Sequence, residues 1–260
     1  MSSDDRFERA ARTMWSDRQQ RRDYTNLAGA LRPTGVEDAY AMQDAFHALA
    51  SPVHGPISGW KIATTTKVMQ QLMGIDSPCG GAIFKSTIHQ SPARLRYADF
   101  VSLKIECELA FRLNRDLSKG SVPHTEESAF EAVEWAMPAF ELVDDRNAVY
   151  KETQALSLIA DNCWNGGIVL GAPVKRPARA AIDAASGTLS IGGRPPLQGK
   201  ADGPLRALAW VANLVNSRGR TIERGMVVIT GSLIPTTPIS AGESATFSVA
   251  GMGEVRLDTF

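Results

Sequence analysis

The sequence predicts an α+β protein, with a small helical N-terminal region followed by a β-rich domain that has a curled core. Three observations carry this prediction. Apolar residues recur at helical spacing through the first 50 residues, strand-like runs dominate from Ser58 onward, and the chain shows neither strict βαβ alternation nor an internal repeat. We expect residues 1–55 to form the helical region and residues 56–260 to form the β-rich domain.

The N-terminal region should contain two helices. Residues 7–15 place Phe, Ala, Met and Trp side chains on one helical face. Thr34 and Glu37 have the spacing of a capping box, and a second apolar stripe follows over residues 36–49. The stretch SPVHGP, residues 51–56, is rich in helix breakers and predicts the linker to the β-rich domain.

The β-rich domain should begin with a short strand and a short helix, the helix lying within the stretch TTTKVMQQLMG. The first strand should lie near residues 59–63. Alternating and continuous apolar runs predict further strands near residues 101–112, 135–144, 166–172 and 226–233, with a terminal hairpin near 245–258. Helical patterns are expected near residues 125–134 and 204–217. Residues 174–200 are poorly periodic and predict a surface loop.

Composition excludes several classes of protein. The 260 residues carry 28 basic and 28 acidic side chains, whereas a general nucleic-acid binder needs a basic face to neutralise phosphates. Cys79, Cys107 and Cys163 lack CxxC spacing, which favours buried apolar packing in a reducing, cytoplasmic compartment. No targeting segment is evident and no run approaches the roughly 20 apolar residues of a membrane span, so we expect no membrane partner.

Two glutamates stand side by side in the predicted strand LKIECELAF. Glu106 and Glu108 would share one face, about 7 Å apart, because every second residue of a strand points the same way. Such a pair can converge on a divalent cation that cancels its repulsion, or it can face water. From this strand alone, exposure to water is the favoured interpretation.

A third carboxylate changes the balance between these interpretations. In MPAFELVDDR, Glu141 shares a strand face with apolar Ala139 and Val143, so it is either an exposed side chain at the surface or a buried ligand. Burying an unpaired carboxylate costs several kcal/mol, so burial requires a cation. Three carboxylates suit Mg²⁺ or Mn²⁺ better than zinc. In IADNCWNGGIVLG, Asp161 precedes a glycine pair, and the local sequence favours an ordinary turn before a strand.

The stretches GWKIATTTKVMQQLMGID, LKIECELAFRLNRDL, MPAFELVDDR, LIADNCWNGGIVLG and GMVVITGSL occur in this order. Together they resemble the 2-keto-4-pentenoate hydratase branch of the fumarylacetoacetate hydrolase superfamily, a pattern shared by 2-oxohept-3-ene-dioate hydratases and 4-oxalocrotonate decarboxylases. The resemblance covers about Ala39 to the C-terminus and implies a mixed β-roll core that carries the catalytic site. It implies a divalent cation, usually Mg²⁺. The residues that inherit metal-ligand roles are Glu106, Glu108 and Glu141, and those that inherit active-site roles are Lys61 and Asp161.

The chain departs from the family pattern around the expected substrate pocket. Cys163, Trp164 and Asn165 stand where small residues are typical, and Trp60 stands where Tyr or Phe is frequent. Asn165 can still bond a substrate oxygen. In the strand-ending ITGSL, we interpret Thr230 and Ser232 as candidate ligands of the substrate carboxylate, although a TGS sequence is also common in turns.

The resemblance implies a hydratase that adds water to a 2-hydroxy-2,4-dienoate through a metal-chelated enolate, as in meta-cleavage breakdown of aromatic compounds. Lys61 would serve the proton shuttle, and Asp161 would orient or deprotonate water. A 2-oxo-3-enedioate decarboxylase of the 4-oxalocrotonate type and a non-catalytic partner subunit stay open as alternatives. A homo-oligomer, at least a dimer, is expected, as is association with a partner hydratase or decarboxylase.

Overall fold

The structure is a computed structural model that describes residues 3–260. The α-helices of the described residues are α1 (Ser3–Gln19), α2 (Val36–His54), α3 (Lys67–Met73), α4 (Glu126–Ala132), α5 (Ala155–Ala160), α6 (Arg179–Asp183) and α7 (Pro204–Ser217). The strands are β1 (Ile57–Ala63), β2 (Cys79–Phe84), β3 (Ile88–Gln90), β4 (Ala93–Leu95), β5 (Leu103–Leu113), β6 (Val133–Asp144), β7 (Asn165–Leu170), β8 (Val174–Lys175), β9 (Ser186–Ile191), β10 (Leu197–Lys200), β11 (Val227–Pro238), β12 (Ser244–Val249) and β13 (Gly253–Thr259).

Two mixed sheets form the β-rich part of the protein, as the α+β prediction requires. The larger has eight strands, in the order β2-β1-β11-β5-β6-β7-β3 with β8 paired to β6. The smaller has five strands, in the order β10-β9-β12-β13-β4. Within the larger sheet β1 runs parallel to β11 and β3 runs parallel to β7, while the long central strands β5, β6 and β11 are antiparallel.

Strand β5 divides the molecule because its two faces carry different chemistry. Leu103, Ile105 and Cys107 belong to the main apolar core, which they share with β12, β13 and α7. This face covers the smaller sheet, and Phe140 on the neighbouring β6 approaches Phe247 at 6.3 Å between ring centroids. The opposite face carries Glu106, so the strand's alternation alone directs its acids away from the core.

The two N-terminal helices pack together and against the edge of the larger sheet. Met14 of α1 and Phe46 of α2 share an apolar cluster with Phe84 at the end of β2. Arg18, at the end of α1, reaches Asp161 after α5, with 2.8 Å between Nε and Oδ1. The helical region therefore supports the turn that leads into β7.

Three local predictions need correction. Thr34 and Glu37 do not form a capping box: Gly35 precedes α2, and the hydroxyl and backbone N–H of Thr34 bond to the Asp38 carboxylate, one residue further on. The predicted linker 51–56 is mostly helical, because α2 continues through Pro52 to His54. The predicted surface loop 174–200 contains β8, α6, β9 and β10; Leu189 and Ile191 of β9 enter the main core.

No helix among residues 3–260 has the length and apolar character needed to cross a bilayer. The terminal hairpin and the helix predicted near residues 204–217 form as expected, as β12–β13 and α7.

Candidate active site

The register between β5 and β6 brings the three glutamates together. Glu106 lies directly opposite Glu141, and Glu108 lies opposite Ala139. One carboxylate oxygen from each glutamate lies within 4.8 Å of the other two. Glu108 and Glu141 are fully buried and Glu106 is half-buried, so the interpretation that the β5 pair simply faces water is wrong. We call these three residues the carboxylate cluster.

The carboxylate cluster is short of positive charge and of hydrogen-bond donors. Oε1 of Glu108 and Oε2 of Glu141 are buried without a partner in the structure. Burial and the neighbouring carboxylates raise the pKa of Glu108 well above its ordinary value. Burial likewise raises the pKa of Glu141 to about 7, although Lys61 opposes the shift. Such a cluster is incomplete without a cation or protons.

A bulge in β11 supplies one donor to the cluster. The pairing of β11 with β5 shifts register on both sides of Ser232, and Gly231 adopts φ +102°. The backbone N–H of Gly231 then donates to Oε2 of Glu108 at 2.7 Å. A Cβ at this position would lie 3.2 Å from Cγ2 of Thr65, so both conformation and space favour glycine. Thr236, further along β11, donates its hydroxyl to Glu106.

Lys61 joins the cluster from β1. Its Nζ lies 2.6 Å from Oε1 of Glu141 and donates to the carbonyl oxygen of Cys163 at 3.3 Å. Burial alone would lower the pKa of Lys61, but the charges of Glu141 and Glu106 outweigh burial and raise the pKa above its usual range. Lys61 is therefore a buried ammonium held beside the carboxylates, where the predicted active-site role needs a cation.

A left-handed turn at residues 162–164 presents the Cys163 carbonyl to Lys61. Asn162, Cys163 and Trp164 have φ of 52°, 49° and 57°. Consecutive non-glycine residues in this region are strained and require support from their surroundings. The Asn162 side chain supplies part of it, because Oδ1 accepts from Ala82 N at 2.7 Å and Nδ2 donates to Ala82 O at 2.9 Å. His47 Nε2 also contacts this Oδ1 at 2.9 Å.

Glu106 of the carboxylate cluster and the neighbouring Lys61 line a cavity of about 530 Å³, whereas Glu108 and Glu141 lie behind its lining. Its polar end includes Lys61, Glu106, Ser232 and Thr236. Much of the remaining lining is formed by side chains that also pack together in one apolar cluster, and we call them the apolar wall: Met69, Met73, Val143, Tyr150, Leu158 and Trp164. Helix α3 contributes both methionines. The Thr66 side chain caps its first turn, and the left-handed Gly74 follows its last residue.

Asp161 is not among the residues that line this cavity. Its carboxylate is fully buried and accepts from Arg18 Nε at 2.8 Å and from Arg146 Nη2 at 2.6 Å. Arg18 also donates to the backbone oxygens of Asp161 and Asn165. The structure thus places Asp161 behind the 162–164 turn, in contact with two arginines rather than with the cavity.

The three predicted substrate ligands occupy different positions. Asn165 is buried and donates from Nδ2 to Oε1 of Glu141 at 2.9 Å. Ser232 lines the cavity, but its hydroxyl donates to Ile234 O and accepts from Cys107 N. Thr230 lies outside this cavity, and its hydroxyl donates to Leu109 O at 2.9 Å.

The sequence does not predict the residues whose hydrogen bonds hold the carboxylates and the 162–164 turn in place. Gly231 and Thr236 donate to the cluster, and Asn162 holds the turn that borders it; the sequence gives Asn162 only as part of an ordinary turn and gives the other two no site role. The positive φ of Gly231 could have been suspected from a glycine inside the apolar run VVITGSL. The signal for Asn162 is Gly81, where an added Cβ would lie 2.9 Å from the carbonyl oxygen and from Oδ1 of Asn162, but nothing local in the sequence couples the two.

A divalent cation fits this arrangement. The donor set consists of three carboxylates, two of which present buried oxygens that no protein group satisfies. Hard oxygen ligands of this kind match Mg²⁺, Mn²⁺ and Ca²⁺ and offer no thiolate or imidazole to favour zinc.

Of the three free cysteines, Cys79 and Cys163 contact each other near Lys61, with their sulfur atoms 3.6 Å apart.

The sequence profile of the fumarylacetoacetate (FAA) hydrolase C-terminal family matches residues 75–258. The chain belongs to this family. Among its relatives, a 2-hydroxyhexa-2,4-dienoate hydratase of Comamonas testosteroni is 32% identical over 224 residues, 84% of each chain. A 2-keto-4-pentenoate hydratase of Paraburkholderia xenovorans strain LB400 is 28% identical over 255 residues, 96% of this chain and 94% of the relative.

Solved structures of other proteins confirm the fold. A 4-oxalocrotonate decarboxylase from Pseudomonas putida G7, complexed with magnesium and adipate, superimposes with a TM-score of 0.90. It is 18% identical, and the match covers 100% of this chain and 99% of the decarboxylase. A fumarylpyruvate hydrolase from Pseudomonas aeruginosa in complex with Mn²⁺ and pyruvate matches 77% of this chain and 88% of its own, with a TM-score of 0.54 and 16% identity. The β-roll predicted from the resemblance is therefore correct.

Proposed function

We propose that the protein is a divalent-metal-dependent hydratase that adds water to a 2-hydroxy-2,4-dienoate. The observation that carries this proposal is the convergence of three carboxylates and the Lys61 ammonium at the polar end of one cavity. Relatives named as hydratases of 2-hydroxyhexa-2,4-dienoate and 2-keto-4-pentenoate, similar over 84% or more of this chain, support the choice of reaction.

The proposed cation is Mg²⁺, with Mn²⁺ as its substitute, and Glu106, Glu108 and Glu141 would hold it. When bound, such a cation supplies Lewis-acid stabilisation of negative charge on the oxygens of a 2-oxo acid. The role of the protein is to keep the three carboxylates within reach of one ion. The β5–β6 register and the Gly231 amide serve this role, because they fix Glu106, Glu108 and Glu141 before any ligand arrives.

Lys61 is proposed as the group that carries positive charge and a proton to the reacting part of the substrate. It lines the cavity, and the acids around it keep it protonated. Its Nζ has one N–H to spare, because an ammonium has three N–H bonds and here contacts Glu141 and the Cys163 carbonyl. A buried ammonium beside an oxygen that gains charge stabilises that charge strongly.

Ser232 is proposed as a ligand of the substrate carboxylate, together with backbone N–H groups of the same bulge, because it lines the cavity beside Glu106. Asn165 is proposed to orient Glu141, since its amide donates to the same oxygen that Lys61 contacts. The sequence predicts Thr230 as a ligand of the substrate carboxylate, and we propose that it serves this binding only indirectly. Its hydroxyl donates to the Leu109 carbonyl and thereby holds the bulge of β11 in place.

Asp161 stays a predicted active-site residue, and we propose that it acts by positioning the 162–164 turn. Its two carboxylate oxygens accept from Arg18 and Arg146, which ties α1 and the segment after β6 to this turn. The 162–164 turn then presents the Cys163 carbonyl to Lys61.

A direct assay tests the proposal. The purified protein with Mg²⁺ is incubated with 2-hydroxypenta-2,4-dienoate, and the product is identified by NMR. The expected product is the 4-hydroxy-2-oxo acid, and chelation of the metal should stop its formation. Recovery of unchanged dienoate with a Mg²⁺-loaded protein would overturn the proposal.

Release of carbon dioxide from a 2-oxo-3-enedioate in a parallel assay would favour the decarboxylase alternative, which the fold alone does not separate from the hydratase. Absence of both activities together with absence of Mg²⁺ uptake would favour a non-catalytic partner subunit. Assembly into at least a dimer also stays a proposal, and light scattering of the purified protein measures it directly.

A further inference from the structure

We propose that the substrate of this chain carries an uncharged, apolar group larger than methyl at the end remote from its carboxylate, and that a second carboxylate at that end is rejected. The inference rests on the proposed function. It concerns the part of the substrate that lies against the apolar wall, away from the carboxylate cluster.

The size of the cavity is the first argument. A 2-hydroxypenta-2,4-dienoate has about eight non-hydrogen atoms and, at no more than the roughly 30 Å³ that a water molecule takes in the liquid, fills about 240 Å³. The cavity is about 530 Å³. A minimal dienoate anchored at Glu106 and Lys61 therefore leaves a large part of the cavity to a further substituent.

The chemistry of the apolar wall is the second argument. Met73, Val143 and Leu158 are buried in the apolar cluster that lines this side, and Met69 packs against them. Trp164 adds a broad aromatic surface that is held at its edge by Tyr150, with ring centroids 5.4 Å apart. Such a surface binds alkyl or aryl groups by removing them from water.

The charge of the lining is the third argument. Among the described residues, Lys61 is the sole cationic side chain that lines the cavity, and Glu141 and Glu106 already surround it. Trp164 Nε1 is a buried donor without a partner, but a neutral N–H satisfies a carbonyl or hydroxyl oxygen without neutralising a carboxylate. The Tyr150 hydroxyl is engaged by Asp145. A second carboxylate against the apolar wall would lose contact with water without gaining a counter-charge, which is unfavourable.

Helix α3 makes the wall adaptable. Met69 and Met73 lie four residues apart and therefore on one face of the helix. Methionine is flexible and polarisable, so it can adjust to alkyl and aryl groups of different shape. On the same helix Leu72 is 43% exposed and does not line the cavity. Leu72 thus offers a matched position for a control variant.

Binding of unreactive 2-oxo acids tests the inference. With Mg²⁺ present, Kd is measured by calorimetry for 2-oxobutanoate, 2-oxohexanoate and 2-oxoadipate, the last two differing only in a terminal methyl or carboxylate group. We expect affinity to rise by about fourfold for each added methylene, and 2-oxoadipate to bind at least about tenfold more weakly than 2-oxohexanoate. In turnover, kcat/KM should rise from 2-hydroxypenta-2,4-dienoate to its 5-alkyl and 5-phenyl analogues.

A charge placed in the wall should reverse this preference. Met69→Arg should strengthen 2-oxoadipate binding relative to 2-oxohexanoate by about tenfold, because it supplies the missing counter-charge. Leu72→Arg adds the same charge to the outer face of α3 and should leave the ratio within about twofold. Far-UV circular dichroism and thermal unfolding confirm that both variants are folded.

The outcomes separate the inference from the proposed function. If 2-oxobutanoate binds and 2-hydroxypenta-2,4-dienoate is hydrated, but longer apolar chains bind no better or 2-oxoadipate binds as well as 2-oxohexanoate, the inference alone is overturned. If no 2-oxo acid binds and no dienoate is hydrated, the proposed function falls and the inference falls with it.

Discussion

Two buried groups of charged side chains flank the 162–164 turn, and they differ in how their charges are balanced. On one side, Asp161 accepts from Arg18 and Arg146, so a single acid meets two cations. The two free nitrogens of Arg146 have no acceptor, but its guanidinium lies over the Tyr24 ring at 5.6 Å. The acid of this arginine group is therefore fully paired by the chain itself.

On the other side, the carboxylate cluster has three acids and, among residues 3–260, only Lys61 as a cation, a formal excess of two negative charges. Two of its buried oxygens have no donor, and the pKa values of Glu108 and Glu141 are raised. The comparison teaches that a buried acid is structural where the fold supplies its counter-charge, and points to a ligand where the fold does not.

The largest effect is expected from removing a ligand of the incomplete group. Glu108→Gln should weaken Mg²⁺ binding beyond detection by calorimetry and lower kcat by more than about 100-fold, because the ion loses a fully buried carboxylate. The control is Glu131→Gln, which removes an exposed carboxylate paired with Arg115 and should leave both quantities unchanged. Equal Mg²⁺ affinity in Glu108→Gln and wild type would show that the cluster is not the metal site.

Lys61→Met separates the role of charge from that of metal binding. We expect kcat to fall by about 10²- to 10⁴-fold, while Mg²⁺ binds as tightly or more tightly, because the ion no longer competes with the ammonium for Glu141. The metal-free variant should be less stable by about 3–5 kcal/mol, since Glu141 loses its buried partner, and Mg²⁺ should restore part of this loss. Urea unfolding with and without Mg²⁺ measures this loss of stability. An unchanged kcat would rule out a catalytic role for Lys61.

Asp161→Asn tests whether the arginine group is structural. The variant keeps the shape of the side chain but leaves Arg18 and Arg146 without their carboxylate, so we expect about 3 kcal/mol of destabilisation. If Asp161 acts only by positioning, kcat should fall less than about tenfold and the kcat–pH profile should keep its shape. Loss of the acidic limb of that profile would instead make Asp161 the group that deprotonates water, one of the two roles that the family resemblance implies.

Asn162→Ala should have the smallest effect of the four substitutions. It removes both hydrogen bonds to the Ala82 backbone, and we expect about 1–3 kcal/mol of destabilisation because buried groups are left unpaired. Displacement of the Cys163 carbonyl should lower kcat severalfold with little change in Mg²⁺ affinity. A fall in Mg²⁺ affinity as large as that in Glu108→Gln would mean that the two charged groups are not separable.

The sequence predicts the incomplete group better than the complete one. Strand alternation places Glu106 and Glu108 on one face, and the burial cost of an unpaired acid makes Glu141 conspicuous among apolar neighbours. Lys61 and Asp161 came from the family resemblance alone. Their different surroundings depend on which strands pair and where α1 ends, and no local pattern encodes contacts such as Arg18 with Asp161, 143 residues apart.

The fold was predictable where the pattern is periodic and not where pairing is distant. Strands β5 and β6 and helix α7 carry strong periodicity, and their positions agree with expectation to within two residues. Residues 174–200 were predicted as a loop because β9 and β10 are short and rich in small and polar residues. The strand form of β9 depends on pairing with β12, more than 50 residues further along the chain, and β10 in turn pairs with β9.

The most direct test of the central claim is Mg²⁺ binding by calorimetry between pH 5.5 and 8 in buffers of different ionisation enthalpy. The folded pKa of Glu141, about 7, exceeds the ordinary 4.5, so the metal-free protein binds extra protons in this window and loses stability as pH rises through it. Mg²⁺ must displace those protons. We predict one ion per chain, an affinity that rises with pH, and proton release on binding near pH 6. Failure to bind, or binding that is independent of pH and survives Glu108→Gln, would contradict the account.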